Sequence, residues 1–225
     1  MQNSDPPPAG PPEPVRGRGR PRAFDRAAAL GQATRLFWLK GYEATSIADL
    51  TEAMGIGSPS LYAAFGSKEA LYAEALRHYN ETYEALVWAR FRSAGTAREA
   101  VLALLRDSAA VLTGSVADLP LGCMVTLSAV GSEGRSGLGD LVRSARAVAL
   151  ERLEARLGQA VAAGELPAAT DIRALARYVQ TLQSGMSILA RDGAGRAELE
   201  AVAEIAMVRW DAGTPDRDGA AGAPA

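Results

Sequence analysis

Two short apolar patterns separated by one glycine constrain this chain more than any other feature of its sequence. The first occupies residues 47–54, with apolar side chains at helical spacing: Ile47, Leu50 and Met54. Gly55 follows where a tight turn needs a permissive backbone. Ser58 is then a favourable N-cap and Pro59 a favourable first helical residue, while Leu61 and Phe65 can hold this second helix to the first. The sequence therefore predicts a helix-turn-helix, with an ordinary helical hairpin as the alternative.

The outward side of the second helix is small and polar. It carries Gly57, Ser58, Pro59 and Ser60. A helix with such a face can enter the DNA major groove, about 12 Å wide, without bulky obstruction. The same helix has no Arg, Asn or Gln that could bind a base edge through two hydrogen bonds. Any base contacts are therefore expected to be few.

The sequence around this motif resembles a known family. The residues that carry the resemblance are Gly41-Tyr42, Thr45-Ser46-Ile47, Met54-Gly55, Ser60-Leu61-Tyr62, Phe65 and Lys68-Glu69-Ala70-Leu71. They are similar to the N-terminal domain of TetR/AcrR-type transcriptional regulators and cover about a quarter of the chain. The resemblance implies an all-α protein of about nine helices. An N-terminal three-helix, helix-turn-helix domain would precede a C-terminal helical bundle for ligand binding and dimerisation.

The resemblance also implies roles in DNA binding. The residues expected to contact phosphate are Thr45, Tyr62 and Lys68, whereas base reading falls to Gly57, Ser58, Pro59 and Ser60. Two alternatives stay open: Tyr62 could be a half-buried aromatic packed on the first helix, and Thr45 could be a simple N-cap.

A basic, glycine-rich segment precedes the motif. Its arginines alternate with glycine and proline, and they are Arg16, Arg18, Arg20 and Arg22. The segment resembles an AT-hook core, so it could enter a narrow minor groove, or it could touch phosphates without preference. We expect residues 1–22 to be disordered and to contribute at least about tenfold to DNA affinity at moderate salt.

The charge distribution agrees with this arrangement. Residues 14–68 carry eight basic and four acidic side chains, whereas residues 69–225 carry 16 basic and 20 acidic ones. A basic N-terminal part on an acidic remainder suits a protein that presents one end to phosphate. The single cysteine excludes an internal disulfide, and no long apolar run is present, so a cytoplasmic protein with no membrane segment is expected.

Helical signals continue through the rest of the chain. Four segments are predicted: a disordered arm at 1–22, the helix-turn-helix domain at 23–68, a ligand-binding and dimerisation domain at 69–210, and a disordered tail at 211–225. Thr96 and Glu99 form a capping-box pattern, and Thr170 is the expected cap of a later helix. The predicted helices span about 25–40, 47–54, 59–65, 68–91, 97–113, 119–130, 138–163, 171–191 and 196–210.

The family resemblance places a dimer interface on the last two helices and an effector pocket inside the bundle. Apolar stripes on those helices predict interface residues Leu175, Tyr178, Val179, Leu182, Leu199, Val202 and Ile205. Aromatic and methionine residues predict a pocket lined by Tyr83, Val87, Trp88, Phe91, Leu105, Leu112, Met124, Leu127 and Met186. Either set could instead belong to an ordinary core.

Cys123 and His78 are the remaining candidates for chemistry. Cys123 lies near the start of a predicted helix, so it could sense oxidants or electrophiles, or it could be an inert buried thiol. His78 has no metal-ligand or catalytic partners in the pattern, and it is expected to be a surface or hinge residue.

The sequence therefore predicts a homodimeric, TetR-type repressor that binds a palindromic operator in double-stranded DNA and is released by a small apolar or electrophilic effector. The pattern contains no nucleophile–base pair, carboxylate dyad, metal set or nucleotide loop, so no enzyme activity and no cofactor are expected. The alternative is a helical partner-binding adaptor whose helix-turn-helix does not read DNA.

Overall fold

The computed structural model describes residues 25–128 and 136–213, and in these two stretches all regular structure is helical. The helices are α1 (Arg26–Ala44), α2 (Ile47–Met54), α3 (Ser58–Phe65), α4 (Lys68–Ser93), α5 (Ala97–Leu112), α6 (Met124–Ser128), α7 (Ser136–Ala162), α8 (Ile172–Arg191) and α9 (Arg196–Gly213). The predicted all-α class is confirmed. None of these helices is long and apolar enough to cross a bilayer.

Helices α1–α3 form a small unit that we call the head. Its core is aromatic and aliphatic, and it continues into the first turns of α4, where Leu71 and Tyr72 are fully buried. The ring of Phe37 in α1 meets the Tyr72 ring edge-on, with the two centroids 5.0 Å apart. Such edge-to-face pairs add to the stability that area burial alone provides.

The predicted turn between α2 and α3 is confirmed, but the start of α3 is shifted by one residue. Gly55 adopts the left-handed conformation (φ 66°, ψ 32°) that a residue with a side chain rarely takes. Ser58 is the first residue of α3 rather than its cap, and Pro59 is the second. The N-cap is Gly57, whose carbonyl accepts from the N–H groups of Ser60 and Leu61.

Helices α5–α9, together with the second half of α4, form a larger unit that we call the body. Helix α5 lies at its centre and is buried on most sides because α4, α8 and α9 all pack around it. The predicted capping box at its start is confirmed: Thr96 accepts from the backbone of Glu99, and the Glu99 carboxylate accepts from the backbone of Thr96.

Further boundaries differ from the predicted ones, among them the end of α1, which is Ala44 rather than residue 40. Helix α6 begins later than predicted, at Met124, because residues 119–123 are not helical and Gly122 has a φ of 74°. Asp171, not Thr170, caps α8 by accepting from the backbone of Ala174. Helix α9 continues into the predicted tail, where Asp211 accepts two hydrogen bonds of 2.6 and 2.7 Å from an arginine of α5.

Candidate nucleic-acid interface and internal cavity

The outer face of α3 is the first candidate site. Gly57, Ser58, Pro59 and Ser60 are all exposed, whereas Leu61 is completely buried and Phe65 nearly so. The buried pair fixes α3 against the head, so the predicted base-reading residues lie together on a rigid, solvent-facing helix. Rigid helical placement is what recognition of a groove requires.

Tyr62 lies on the same exposed surface. Its side chain is 47% exposed, so about half of the ring is accessible to solvent. An exposed phenol on a recognition helix can donate its hydroxyl to a phosphate. This placement is compatible with the predicted role of Tyr62.

Lys68 begins α4 and lies beside the head. Its Nζ lies 4.2 Å from the centroid of the Tyr42 ring, and the Tyr42 hydroxyl donates to Glu69 Oε1 at 2.7 Å. A cation over an aromatic face is attracted by the ring quadrupole. The Lys68 ammonium is therefore positioned by its neighbours rather than free to sample many rotamers.

The structure corrects the prediction for Thr45. Its side chain is completely buried, and its Oγ1 donates to the carbonyl of Gly41 at 2.6 Å. This hydroxyl therefore does not face solvent and cannot contact phosphate in this conformation. Thr45 is not the cap of α2 either, because Ser46 performs that function through a capping box with Asp49.

Asp49 gives the start of α2 a stable negative charge. Hydrogen bonds from the Ser46 backbone and then from Lys40 lower the pKa of Asp49 from 3.8 to about 2. Lys40 Nζ lies 2.9 Å from Asp49 Oδ1, so much of the Lys40 charge is neutralised within the head. The predicted basic arm with Arg16, Arg18, Arg20 and Arg22 lies outside the described residues.

A cavity of about 870 Å³, partly open to solvent, lies between α4, α5, α6, α7 and α8 of the body. Four of the predicted pocket residues line it: Tyr83, Val87, Trp88 and Leu112. The other five predicted residues do not line it: Phe91, Leu105, Met124, Leu127 and Met186. All of these except Leu127 are packed into the two hydrophobic cores, because their helical faces point away from the cavity.

The cavity also has a polar wall that the sequence pattern did not predict. Gln183 Nε2 donates to Ser108 Oγ at 2.9 Å, and Gln180 Nε2 donates to the backbone carbonyl of Arg146 at 3.1 Å. The two glutamines lie three residues apart on α8, so they share a face beside its apolar stripe. That spacing is the sequence signal that could have located them.

Cys123 lines the cavity close to α6. The Tyr79 hydroxyl donates to Cys123 Sγ at 3.4 Å, and the Cys123 backbone N–H donates to Ser187 Oγ at 2.8 Å. Burial, followed by the proximity of Cys123, raises the pKa of Tyr79 well above its ordinary value. The phenol therefore stays protonated and remains the donor to sulfur. His78 is half-buried and faces Thr82, with 3.5 Å between its Nδ1 and Thr82 Oγ1.

The cavity is connected to the head through aromatic side chains. The Trp38 ring of α1 contacts Tyr79 and Tyr83 edge-on, at centroid distances of 4.8 and 5.4 Å. Trp38 Nε1 also donates to the carbonyl of Gly122 at 2.9 Å. Both tyrosines line the cavity, so a ligand placed there would contact side chains that pack directly on α1.

Arg191, at the end of α8, forms a second connection between the body and the head. Its guanidinium donates to the carbonyl of Leu121 at 3.1 Å, to that of Trp38 at 3.3 Å and to that of Leu39. Hydrogen bonds from a charged donor are stronger than neutral ones. The C-terminal half of α1 is therefore fixed to α8 by a single side chain.

Helices α8 and α9 expose apolar side chains, though not all of those predicted. Val179 and Leu199 are completely buried in the core of their own chain, so these two interface predictions are wrong. Leu175 and Leu182 are partly buried against the same core, and Val202 is of intermediate exposure. The exposed apolar residues are Tyr178, Ile188, Leu189, Ile205 and Val208, of which only Tyr178 and Ile205 were predicted.

Comparison with known proteins decides the family. Residues 29–75 match the family model described as bacterial regulatory proteins, tetR family. The chain is 36% identical over 198 residues to the HTH-type transcriptional repressor ComR of Escherichia coli strain K12, which spans 87% of this chain and 93% of that protein. The chain belongs to the TetR family.

Two further relatives agree with this assignment. The HTH-type transcriptional repressor BdcR of Escherichia coli strain K12 is 49% identical over 61 residues, which are 27% of this chain and 31% of that protein. A solved structure of a cysteine-substituted TetR family regulator, CifR, complexed with 26-bp double-strand operator DNA is 41% identical. It superposes with a TM-score of 0.79 over 84% of this chain and 98% of that one. The protein is therefore a TetR-family, DNA-binding transcriptional regulator, and this function is favoured over the adaptor alternative.

Proposed function

We propose that this TetR-family regulator is a homodimeric repressor that leaves a palindromic operator when a small molecule occupies the cavity in its body. The observation that carries the proposal is the direct contact between the aromatic wall of the cavity and Trp38 of the head. A ligand that displaces Tyr79 or Tyr83 would change the packing against α1, and the position of α3 would change with it.

The exposed face of α3 supports the DNA-binding part of the proposal. One head reads few base pairs, so two heads related by a two-fold axis are the usual solution. Their half-sites lie about 34–36 Å apart on the duplex, so a small tilt of each head mismatches the dimer and its operator. Gly57, Ser58, Pro59 and Ser60 would contact bases, while Tyr62 and Lys68 would contact phosphate.

The exposed apolar surface of α8 and α9 supports dimerisation. Ile205 and Val208 are 71% and 69% exposed, which is unfavourable for large apolar side chains unless a partner covers them. We propose that these residues, with Tyr178, Ile188 and Leu189, lie in the dimer interface. Ile205→Asp should therefore convert the dimer to a monomer in sedimentation measurements, whereas Val116→Asp, at an exposed site in the loop after α5, should leave the dimer unchanged.

Two kinds of effector fit the proposal. An apolar molecule could bind reversibly against the aromatic wall, or an electrophile could react with Cys123 in the same cavity. Release of DNA by a quinone or an aldehyde from the wild-type protein but not from Cys123→Ser would support the electrophile. Identical release from both proteins would exclude it and leave the reversible ligand.

Fluorescence anisotropy with the intergenic DNA upstream of the gene tests the DNA-binding part first. Specific binding of one dimer at about physiological salt, with scrambled DNA bound far more weakly, is the expected result. Equal and strongly salt-dependent binding to both DNAs, followed by failure to select any preferred site from random DNA, would refute the repressor proposal. Deletion of residues 1–22 tests the predicted arm in the same assay.

A separate experiment tests whether Trp38 couples the cavity to the head. Trp38→Phe keeps an aromatic ring in place but removes the Nε1–H that donates to Gly122. We expect this variant to bind operator DNA and to need more ligand for release. Arg196→Met is the control, because Arg196 forms its ion pair with Glu200 in its own helix and does not line the cavity. Unchanged release by Trp38→Phe would contradict this route of coupling.

A further inference from the structure

The charges around the cavity are not balanced. Glu84 accepts from both Arg92 and Arg152, so its carboxylate is already neutralised. Glu154 Oε1 lies 3.5 Å from Arg173 Nη1. Three carboxylates line the cavity. Glu84 and Glu154 each have an arginine within ion-pair distance, although the buried Oε1 of Glu154 accepts no hydrogen bond, and Glu151 is exposed.

Within the part of the chain that the structure describes, Arg146 has no such partner. It lines the cavity from α7, and among the described residues no carboxylate lies within ion-pair distance of its guanidinium. Its Nε is buried and donates no hydrogen bond. A buried guanidinium nitrogen without an acceptor is costly, so an acceptor supplied from within the cavity would be strongly favoured.

Gln180 and Arg177 are the polar residues beside Arg146 in the cavity wall. Gln180 accepts from Arg177 Nη1 at 2.7 Å and donates to the backbone carbonyl of Arg146 at 3.1 Å. Arg177 also lines the cavity, and this neutral amide is its hydrogen-bond partner. The end formed by Arg146, Arg177 and Gln180 is therefore positively charged and supplied with donors.

The α4 wall of the cavity carries the aromatic and apolar side chains of Tyr79, Tyr83, Val87 and Trp88, together with the polar side chains of Asn80 and Glu84. A cavity with an apolar wall and one cluster of hydrogen-bond donors favours ligands that have an apolar part and a polar group that accepts hydrogen bonds. We propose that the ligand of this cavity is a compact aromatic or aliphatic acid whose anionic group binds Arg146 while its apolar part packs against α4. This inference rests on the proposed function of the cavity as the effector site.

Two fluorescent probes that differ in a single sulfonate test the assignment. 1-Anilinonaphthalene-8-sulfonate is an anionic aromatic molecule, and N-phenyl-1-naphthylamine is its uncharged counterpart. Both should bind the full-length wild-type protein. Arg146→Met should raise the dissociation constant of the anionic probe at least about tenfold, as expected for loss of a charged hydrogen bond, and should change that of the neutral probe less than about twofold.

Matched variants make the result specific. Arg196→Met removes the same charge outside the cavity, because Arg196 is exposed, pairs with Glu200 in α9 and does not line the cavity, so both probes should bind it as they bind the wild type. Val87→Trp should fill the cavity and abolish binding of both probes. Persistent binding of the anionic probe to Val87→Trp would place it outside the cavity and overturn the assignment.

The outcomes separate this inference from the function on which it rests. Equal weakening of both probes by Arg146→Met would mean that Arg146 is only structural. No effect on either probe would place the anionic group elsewhere. In both cases ligand-induced release of DNA could still occur, so the proposed function would stand without the acid specificity. Failure of the wild-type protein to bind either probe would refute the ligand cavity itself.

Discussion

Substitution of Gly122 by alanine tests how closely the turn that accepts a hydrogen bond from Trp38 is packed against α8. Gly122 has a φ of 74°, and a Cβ built there would lie 2.7 Å from Leu127 Cδ1 and 2.8 Å from the backbone carbonyl oxygen of Ser187. The left-handed backbone costs about 1–2 kcal/mol for a residue with a side chain. Overlap with a packed neighbour and with a backbone atom adds about 1–3 kcal/mol. We therefore expect Gly122→Ala to lower the free energy of unfolding by about 2–5 kcal/mol.

Gly55→Ala is the matched control for this measurement. Gly55 also has a positive φ, of 66°, but nothing lies within 4 Å of a Cβ built on it. Its substitution should therefore cost only the backbone term, about 1–2 kcal/mol. Urea unfolding followed by tryptophan fluorescence, at one fixed protein concentration, measures both variants. Equal destabilisation by the two substitutions would refute the conclusion that the turn at Gly122 is closely packed against α8.

Three further predictions concern the head and the start of the body. The lowered pKa of Asp49 means that its negative charge stabilises the fold above its ordinary pKa of 3.8. This contribution is lost as the pH falls towards about 2. The melting temperature should therefore fall less between pH 4 and pH 2 in Asp49→Asn than in the wild type. Lys68→Gln should lower operator affinity and reduce the slope of log affinity against log salt by about one per subunit, and an unchanged slope would exclude a phosphate contact. Thr96→Ala removes one side of the capping box and should lower the free energy of unfolding by about 1 kcal/mol in urea titrations.

Local signals in the sequence were sufficient for the head. Three signals determine the backbone of the head within a few positions: the helical spacing of the apolar residues, the glycine at position 55 and the polar residues before α2. The helix-turn-helix could therefore be predicted from them. Thr45 was misplaced because Thr45 and Ser46 are adjacent hydroxyl residues with opposite environments. The pattern does not indicate which of the two caps α2 and which is buried.

The cavity and the exposed faces depend on contacts between distant helices. Val179 and Leu199 lie on apolar stripes, and a stripe does not reveal whether its own chain or a second copy covers it. Arg146 was missed for a related reason. A basic residue on an exposed-looking helix is normally solvated, and its buried Nε becomes evident only when α7 is packed against α8.

The turn formed by residues 121–123 also restricts how this protein can change during evolution. One of its residues lines the cavity, one accepts a hydrogen bond from Trp38, and one accepts from Arg191. A substitution there alters ligand contacts and head orientation together. Among the described residues, no hydrogen bond joins the α7 wall, including Arg146, to α1, so new effector specificity can arise on that side while the response to DNA is retained. Relatives that respond to different molecules are therefore expected to differ mainly along α7 and to keep glycine at the position of Gly122.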